Sequence, residues 1–269
     1  MSILIGNSNL YHPKKCSSNY LIHQSNIQDC LTEITSVFNS LNITVNKVDS
    51  LYYPGCNLLW VRDNFINLNG KIIIFKGTKN STENQDRSQE YRVFTKIFSK
   101  YIVCPEKIEG GDIIESKEDI LCGIGIRTSY NGSRFLSKFT NKKIINIRHS
   151  ALHLDCCLAV LPNRIILYSQ QYIQKLPKYI MDNYQIFSIE KLLGIGVSSN
   201  IDPNLSTNFV LVNNTVIISN NPKFSKIRQW LRSLGYSLQL IHVDRVKEMG
   251  GAIRCLTQWI EPLQGNDIY

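Results

Sequence analysis

The sequence predicts an α/β protein built from repeated units, each a β-hairpin followed by a connecting helix. Three observations support this fold class: four apolar segments share a strand-turn-strand pattern, a polar residue recurs near the start of each segment, and amphipathic stretches lie between them. The chain has 269 residues, 43% of them hydrophobic, which is enough to bury a large core. We therefore expect a single domain over residues 1–269, with the hairpins around an axis and the helices outside.

The hairpins are recognised by their turns, which contain pairs such as Asn-Gly and Asn-Asn that tolerate positive φ angles. The hairpin segments run from Leu59 to Phe75, Ile108 to Ile124, Leu152 to Tyr168 and Thr207 to Ser219, and a shorter strand is expected from Ala252 to Ile260. Polar residues begin the units at intervals of 49, 43, 53 and 47 residues, a period typical of repeat arrays and propellers. These residues are Asp63, Asp112, Asp155, Asn208 and Cys255.

The connecting segments show helical periodicity. Residues 27–41 and 81–100 place apolar side chains on one face, and Ser81 and Thr82 are candidate N-caps of the second helix. The clearest helix covers residues 222–235, with Pro222 in its first turn and Gly235 as its C-terminal cap. Pro177 interrupts a further helical pattern, so we expect a short or kinked helix there.

Composition disfavours several classes of protein. No apolar run approaches the ~18 residues of a membrane-spanning helix, and the N-terminus lacks a signal-peptide pattern. The formal net charge is +9, but the basic residues are scattered, which favours a solvated basic surface over nucleic-acid binding. The eight cysteines show no C-x-x-C spacing, which indicates reduced thiols. We expect a cytoplasmic protein with neither nucleic-acid nor membrane partners.

If the units share an axis, polar residues that are distant in sequence converge at one end of it. Those expected there are Asp63, Glu109, Asp112, Arg127, His153, Asp155 and Cys255. His153 and Asp155 lie two apart on an expected strand, so they should share a face. Arg62 and Arg254 alternate with site residues and should face away, and no role is expected for the other histidines and cysteines. A thiol, an imidazole and several carboxylates suit nucleophilic chemistry on a cationic substrate.

The motifs that carry these residues occur in a characteristic order. They are Trp60-Val-Arg-Asp-Asn-Phe65, Ile108-Glu-Gly-Gly-Asp-Ile113, Gly125-Ile-Arg-Thr128, Leu152-His-Leu-Asp155 and Gly250-Gly-Ala-Ile-Arg-Cys-Leu-Thr257. From about Trp60 to Trp259 they resemble the guanidine-modifying superfamily of arginine deiminases, dimethylarginine dimethylaminohydrolases and amidinotransferases. The resemblance implies the pentein fold, an α/β propeller in which five ββαβ-like units surround a pseudo-fivefold axis.

The resemblance also implies a reaction on a small guanidino substrate. Cys255 resembles the nucleophile, His153 the general acid and base, and Glu109 the carboxylate that orients the histidine and the guanidinium. The thiolate would attack the guanidinium carbon, and water activated through His153 would hydrolyse the resulting thiouronium to a urea product such as citrulline. Neither a metal nor another cofactor is implied.

The substrate-binding residues follow from the same resemblance. Asp63 and Asp155 resemble the carboxylates that hold the substrate guanidinium, and Asp112 is also assigned to substrate binding. Arg127 stands where deiminases and dimethylaminohydrolases bind the substrate α-carboxylate. The length matches a dimethylaminohydrolase, since classical arginine deiminases carry an extra helical domain, whereas the site residues are more like those of a deiminase.

Three functions remain open at this point. The first is a cysteine-dependent hydrolase of free arginine or a close guanidino derivative. The second is an amidinotransferase, which would pass the amidino group to an amine instead of water. The third is a non-catalytic pentein that binds a partner, although a pure binder has no reason to retain a reactive thiol. The pair Cys156-Cys157, which departs from the family pattern, has no assigned role.

Overall fold

The computed structural model describes residues 1–6, 24–48, 56–77, 79–80, 85–86, 90–199, 201–247 and 250–261. Within these ranges the strands form five three-stranded sheets and one two-stranded ribbon. In every three-stranded sheet the central strand pairs antiparallel with one neighbour and parallel with the other. A helix lies between the central strand and its parallel neighbour in the chain. The predicted repetition of a hairpin with a connecting helix is therefore confirmed.

Four sheets grow from the four predicted hairpins. Their strands are Phe65–Leu68, Lys71–Phe75 and Ile102–Cys104; Ile113–Glu115, Asp119–Ile124 and Lys143–Arg148; Leu158–Leu161, Ile165–Tyr168 and Gln185–Ser188; and Val210–Val212, Thr215–Ser219 and Ser237–Ile241. The ribbon pairs Lys79–Asn80 with Gln85–Asp86. Asn69, Asn163 and Asn213 have φ angles of 53°, 60° and 53°, which is the left-handed conformation that asparagine tolerates in tight turns.

The fifth sheet joins strands from opposite ends of the described chain. Its central strand, Ser2–Ile5, pairs antiparallel with Thr257–Trp259 and parallel with Thr44–Lys47. The expected strand from Ala252 to Ile260 is thus shorter than predicted, because the residues before Thr257 form turns. The N-terminal strands and the helix between them, which the motifs did not cover, complete the fifth unit.

Helices occupy the connections between strands. They are Gln24–Ser40, Tyr91–Ile97, Tyr130–Leu136, Lys178–Asn183, Ile189–Leu193, Asn204–Thr207, Ser225–Ser233 and Asp244–Lys247. The helix expected over residues 81–100 is seen only from Tyr91, and its candidate N-caps Ser81 and Thr82 lie outside the described residues. Pro177 directly precedes Lys178–Asn183, so that helix is short, as expected. Among the described helices, none is long and apolar enough to cross a membrane.

The largest buried cluster anchors the last unit of the fold. Ile34 and Phe38 of the first helix belong to it together with Ile253 and Leu256, and all four side chains are fully buried. Burying a side chain of this size stabilises the fold by about 1.5–3 kcal/mol. Since Ile253 and Leu256 flank Cys255, packing fixes the backbone that carries the predicted nucleophile.

Candidate active site

Most of the predicted site residues lie on or beside short turns that precede a strand, whereas Arg127 follows the strand Asp119–Ile124. Asp63, Asp112 and Asp155 each lie in a single turn of 3-10 helix, and Cys255 lies in a turn before Thr257–Trp259. The strand-based reason for placing His153 and Asp155 on one face is therefore wrong, although both reach the same site. Convergence comes from the repetition of these turns at the same place in each unit.

His153 is the centre of a buried group of polar contacts. Its Nε2 lies 2.8 Å from Glu109 Oε2, and its Nδ1 lies 3.7 Å from Asp63 Oδ1. The backbone N–H of Gly111 donates to Asp63 Oδ1 at 3.2 Å. A Cβ at Gly111 would lie 2.7 Å from His153 Cγ and 2.8 Å from Asp63 Oδ1. The second glycine of Glu109-Gly-Gly-Asp112 is therefore required by the close packing of the two site residues.

The carboxylates around His153 control its protonation. Burial lowers the pKa of His153, but the charge of Asp63, the hydrogen bond with Glu109 and the charges of Asp112 and Glu109 together raise it well above its ordinary value of 6.5. The ring is therefore protonated at neutral pH. An imidazolium in this position can donate a proton to a departing amine.

Glu109 connects His153 to Arg127. Glu109 Oε1 accepts a hydrogen bond from Arg127 Nη1 at 3.3 Å, while Oε2 faces the imidazole. Arg127 is 2% exposed and Glu109 is fully buried. The Glu109 backbone N–H donates to Thr128 Oγ1 at 3.1 Å, which ties the two motifs together. The structure thus brings Arg127 to the predicted site through Glu109.

Asp155 pairs with Arg254 inside the protein. Arg254 Nε lies 3.5 Å from Asp155 Oδ2. Burial raises the pKa of Asp155 to about 6, although the charges of Arg254 and His153 oppose that rise. The expectation that Arg254 faces away from the site is therefore wrong, because strand alternation does not apply to a residue in a turn. Arg62, by contrast, donates from Nη1 to Gln258 Oε1 at 2.6 Å.

Cys255 is held by Asn208, for which only a place in the repeat was predicted. Asn208 Nδ2 donates to Cys255 Sγ at 3.1 Å, and the Cys255 backbone N–H donates to Asn208 Oδ1 at 3.2 Å. The preceding Thr207 donates from Oγ1 to the backbone carbonyl of Asp155 at 3.1 Å. Residues 207–208 therefore fix the turn that carries Asp155 relative to the turn that carries Cys255.

Asp112 contacts a second histidine rather than hydrogen-bonding to His153. Its Oδ1 accepts from the Leu154 backbone N–H at 2.8 Å and lies 3.0 Å from His149 Nε2. Both the Asp112 and His149 side chains are fully buried. A Cβ at Gly123 would lie 2.6 Å from each of those two polar atoms. His149, for which no role was expected, therefore has a buried carboxylate partner, and the glycine in a strand was the available signal.

Cys156 completes the group of polar side chains. Its Sγ donates to Asp155 Oδ1 at 3.7 Å, and interaction with the Cys255 thiol, burial and the charge of Asp155 raise the pKa of Cys156 well above its ordinary value. Candidate metal-ligand atoms lie within 4.8 Å of one another in two sets, which are His153, Asp155 and Cys156, and Asp63, Glu109 and His153. Because both sets share His153, they belong to the same site as the contacts above. Four other predicted residues, Asp63, Glu109, Asp155 and Arg127, thus group with His153 directly or through Glu109, while Asp112 pairs with His149.

Comparison with known proteins identifies the family. Residues 31–192, more than half of the chain, match the family described as arginine deiminase. The chain belongs to the arginine deiminase family. Membership of this family makes it a hydrolase acting on carbon–nitrogen bonds of a guanidino group. A comparison with curated protein sequences gave no match.

Several solved structures are similar to this chain in fold. Dimethylarginine dimethylaminohydrolase from Pseudomonas aeruginosa, a cysteine-to-serine mutant complexed with citrulline, is 18% identical, with 96% of this chain and 98% of that chain covered and a TM-score of 0.66. The N-terminal domain of ArgZ, an arginine dihydrolase from the ornithine-ammonia cycle in cyanobacteria, is 16% identical, with 95% and 96% covered and a TM-score of 0.77. AgrE, complexed with ornithine and NAD+, is 17% identical, with 99% of this chain and 40% of that chain covered and a TM-score of 0.79. The predicted pentein fold is confirmed.

Proposed function

We propose that the chain is a cysteine-dependent hydrolase of free arginine or a close guanidino derivative. The observation that carries the proposal is the buried group of Cys255, His153 and three carboxylates, which are Asp63, Glu109 and Asp155. A guanidinium carbon is a poor electrophile because its charge is delocalised. Carboxylates that fix the group by paired hydrogen bonds, next to a thiolate, supply what such a reaction needs.

The proposed reaction uses His153 first as an acid and then as a base. The Cys255 thiolate adds to the guanidinium carbon, the carbon–nitrogen bond breaks, and the departing amine takes a proton from His153. The neutral His153 then removes a proton from water, whose oxygen adds to the same carbon and displaces the thiolate. The product is a ureido compound, with ammonia or an amine as the first leaving group. The raised pKa of His153 supports the first step, since the ring is protonated before substrate binds.

Substrate binding would also offset the unfavourable burial of the Asp155 charge. Ionising this buried carboxyl is unfavourable, which is why its pKa is raised to about 6. A bound guanidinium would place a further cation near Asp155, in addition to Arg254 and His153. Substrate binding would therefore favour the ionised form of Asp155, which is the form that binds a guanidinium.

We infer that Arg127 holds an anion at the far end of the substrate, which for arginine is the α-carboxylate. An Arg–carboxylate pair with two parallel hydrogen bonds is specific for such a group. The Arg127–Glu109 contact suggests a competing role, in which Arg127 only positions Glu109. Arginine and agmatine separate the two roles, because agmatine is arginine without its carboxylate.

The test compares kcat/KM for arginine and agmatine in the wild type and in Arg127→Ala. The anchoring role predicts that the wild type prefers arginine by about 30-fold or more, the effect of a lost charged pair, and that the variant loses most of this preference. Equal losses for both substrates in the variant would show that Arg127 acts through Glu109. Equal wild-type activity on both would direct the search to amines or protein-linked guanidines.

A screen of guanidino compounds tests the activity itself. The expected result is a ureido product and released ammonia or amine from arginine or a close derivative. Arginine supplied with glycine or another primary amine tests the amidinotransferase alternative, which would yield a new guanidino compound. We further propose that the chain acts as a single catalytic domain in the cytosol. The described cysteine side chains are all free thiols, which fits a reducing compartment.

A further inference from the structure

We propose that His149 is a positioning residue for His153, on which it acts through Asp112. The effect on turnover rests on the hydrolase proposed above, whereas the contacts that carry the proposal are properties of the fold. His149 lies shortly before His153 in the chain, and the proposed hydrolysis has no direct use for it.

The first observation is that the His149 ring is buried in a space that two glycines keep open. The His149 side chain is fully buried. A Cβ at Gly123 would lie 2.6 Å from His149 Nε2, and a Cβ at Gly125 would lie 3.1 Å from His149 Cε1. The His149 backbone N–H donates to the carbonyl of Ile124, between the two glycines, at 3.4 Å. The end of the strand Asp119–Ile124 therefore packs closely against the ring and fixes its direction.

The second observation is that this direction places one ring nitrogen against Asp112. His149 Nε2 lies 3.0 Å from Asp112 Oδ1, and both side chains are fully buried. The contact is short, although its angle falls outside that of a well-aligned hydrogen bond. Among the described residues, Asp112 Oδ2 has no hydrogen-bond partner. Because a buried carboxylate without polar partners is costly, the His149 ring stabilises Asp112 in its place.

The third observation is that Asp112 holds the peptide that follows His153. The oxygen that faces His149, Asp112 Oδ1, also accepts from the Leu154 backbone N–H at 2.8 Å. That N–H belongs to the peptide bond between His153 and Leu154. The Asp112 backbone N–H in turn donates to the Glu109 carbonyl at 3.1 Å. Asp112 thus connects the backbone at His153 to the residue that contacts the His153 ring.

The Glu109-Gly-Gly-Asp112 motif therefore holds His153 at two points. Glu109 Oε2 lies 2.8 Å from the ring nitrogen Nε2, and Asp112 binds the adjacent peptide. Two points of contact fix the direction of the ring, whereas one alone lets it pivot. A displacement of about 1 Å in an active site can cost ~100-fold in rate. Loss of the His149 contact should therefore reach the proposed chemistry through Asp112.

The experiment compares the full-length wild type with His149→Gln and His149→Asn. A glutamine can place its amide nitrogen close to the position of His149 Nε2, which faces Asp112. An asparagine reaches only the position of Nδ1, which has no hydrogen-bond partner among the described residues. The two variants are both amides, so they differ mainly in which ring nitrogen they replace.

We measure kcat and KM separately for arginine or the guanidino compound that the screen identifies. In His149→Gln we expect most of the wild-type kcat. In His149→Asn we expect kcat to fall by about 100-fold with little change in KM. His242→Asn is the control, because His242 contacts Glu33 at 3.1 Å and its side chain is 77% exposed, and it should keep the wild-type kcat.

A second measurement does not depend on turnover. Proton NMR follows the Hε2 proton of His153, which lies in the 2.8 Å contact with Glu109 and should give a downfield signal that exchanges slowly with water. We expect this signal in the wild type and in His149→Gln, and several-fold faster exchange in His149→Asn. A wild type inactive on every guanidino compound would overturn the proposed hydrolase, and the NMR signal would then decide whether His149 positions His153.

Several results would overturn the positioning role. They are wild-type kcat in both His149 variants, an equal loss of kcat in both, or an Hε2 signal that exchanges at one rate in all three proteins. An equal loss would show that the ring matters for packing alone. Circular dichroism checks that each variant is folded at the assay temperature. If His149→Asn does not fold, His149→Phe, which fills the same space without a donor, replaces it with the same expected results.

Discussion

At the scale of single residues, the pKa values of His153 and Asp155 are both raised, but folding has opposite effects on their charged forms. His153 is surrounded by carboxylates, which keep it charged at neutral pH. Asp155 is fully buried with Arg254 at 3.5 Å, and burial has the larger effect on its pKa. The charged form of His153 is therefore stabilised by folding, whereas the charged form of Asp155 is destabilised by it.

The pKa of His153 predicts how activity responds to alkaline pH. Its protonated form is the proposed acid, so kcat/KM should fall as pH rises through the raised pKa. Glu109→Gln removes one negative charge and the charged hydrogen-bond partner, which lowers that pKa and moves the fall to lower pH. The control is Glu118→Gln, at an exposed carboxylate that faces Arg164 at 3.8 Å. If the alkaline fall in kcat/KM stayed at the same pH in Glu109→Gln, Glu109 would not control the pKa of His153.

We predict that Asp155→Asn raises the free energy of unfolding and lowers activity. The folded pKa of about 6 lies above the unfolded value, so the folded state binds the extra proton between about pH 4 and 6 and wild-type stability falls as pH rises through that window. Asp155→Asn avoids this loss and should be more stable at pH 8 by roughly 3 kcal/mol, at ~1.4 kcal/mol per pKa unit. The gain should disappear below pH 4, as measured by denaturant unfolding. A less stable Asp155→Asn at pH 8 would mean that the pair with Arg254 outweighs burial.

At the scale of elements, hairpins could be predicted from the sequence and the turns before them could not. Apolar runs separated by asparagine-rich turns specify hairpins through local chemistry alone. The site turns are only three or four residues long, which is too short to show a periodicity. The alternation of side chains along a strand therefore predicted the wrong direction for Arg254. The contacts of Asn208 and His149 could not be predicted, because they join residues that only the fold brings together.

The turn that contains Gly111 predicts a sharp loss of activity. In Gly111→Ala the new methyl group would lie less than 3.0 Å from atoms of His153 and Asp63, so one of them must move. A displacement of about 1 Å can cost ~100-fold in rate, and we expect a loss of that order in kcat/KM. Gly196→Ala is the control, since the nearest atom to its Cβ is Ser198 Oγ at 4.0 Å. Equal activities of the two variants would show that the Gly111 turn does not position the site.

At the scale of the whole molecule, the fifth unit is assembled from both ends of the described chain. Ser2–Ile5 is the central strand of its sheet, and one neighbouring strand, Thr257–Trp259, follows Cys255 closely. Such a pairing is not local in sequence, and strands of three or four residues give little signal. The motif order nevertheless implied five units, so the number of units could be predicted but not the segments that complete the last one.

Because Ser2–Ile5 is the central strand of this sheet, a substitution in it should destabilise the whole fold. Ile3 is fully buried and lies opposite Trp259, so Ile3→Ala should lower the free energy of unfolding by about 2–5 kcal/mol. Lys47→Ala, at an exposed position of the third strand in the same sheet, should change it by less than ~0.5 kcal/mol. Urea unfolding measures both. Similar values for the two variants would argue that the N-terminal strand contributes little to closing the fold.

The proposed hydrolysis requires that Cys255 form a covalent bond to the guanidino carbon of the substrate. Rapid acid quenching of the wild type during turnover of arginine, followed by intact-mass measurement and peptide mapping, tests this claim most directly. We predict a thiouronium adduct on the peptide that contains Cys255, more of it in His153→Ala if loss of the base slows its hydrolysis, and neither adduct nor turnover in Cys255→Ser. Ureido product from Cys255→Ser at the wild-type rate, or an adduct on another residue, would contradict the account.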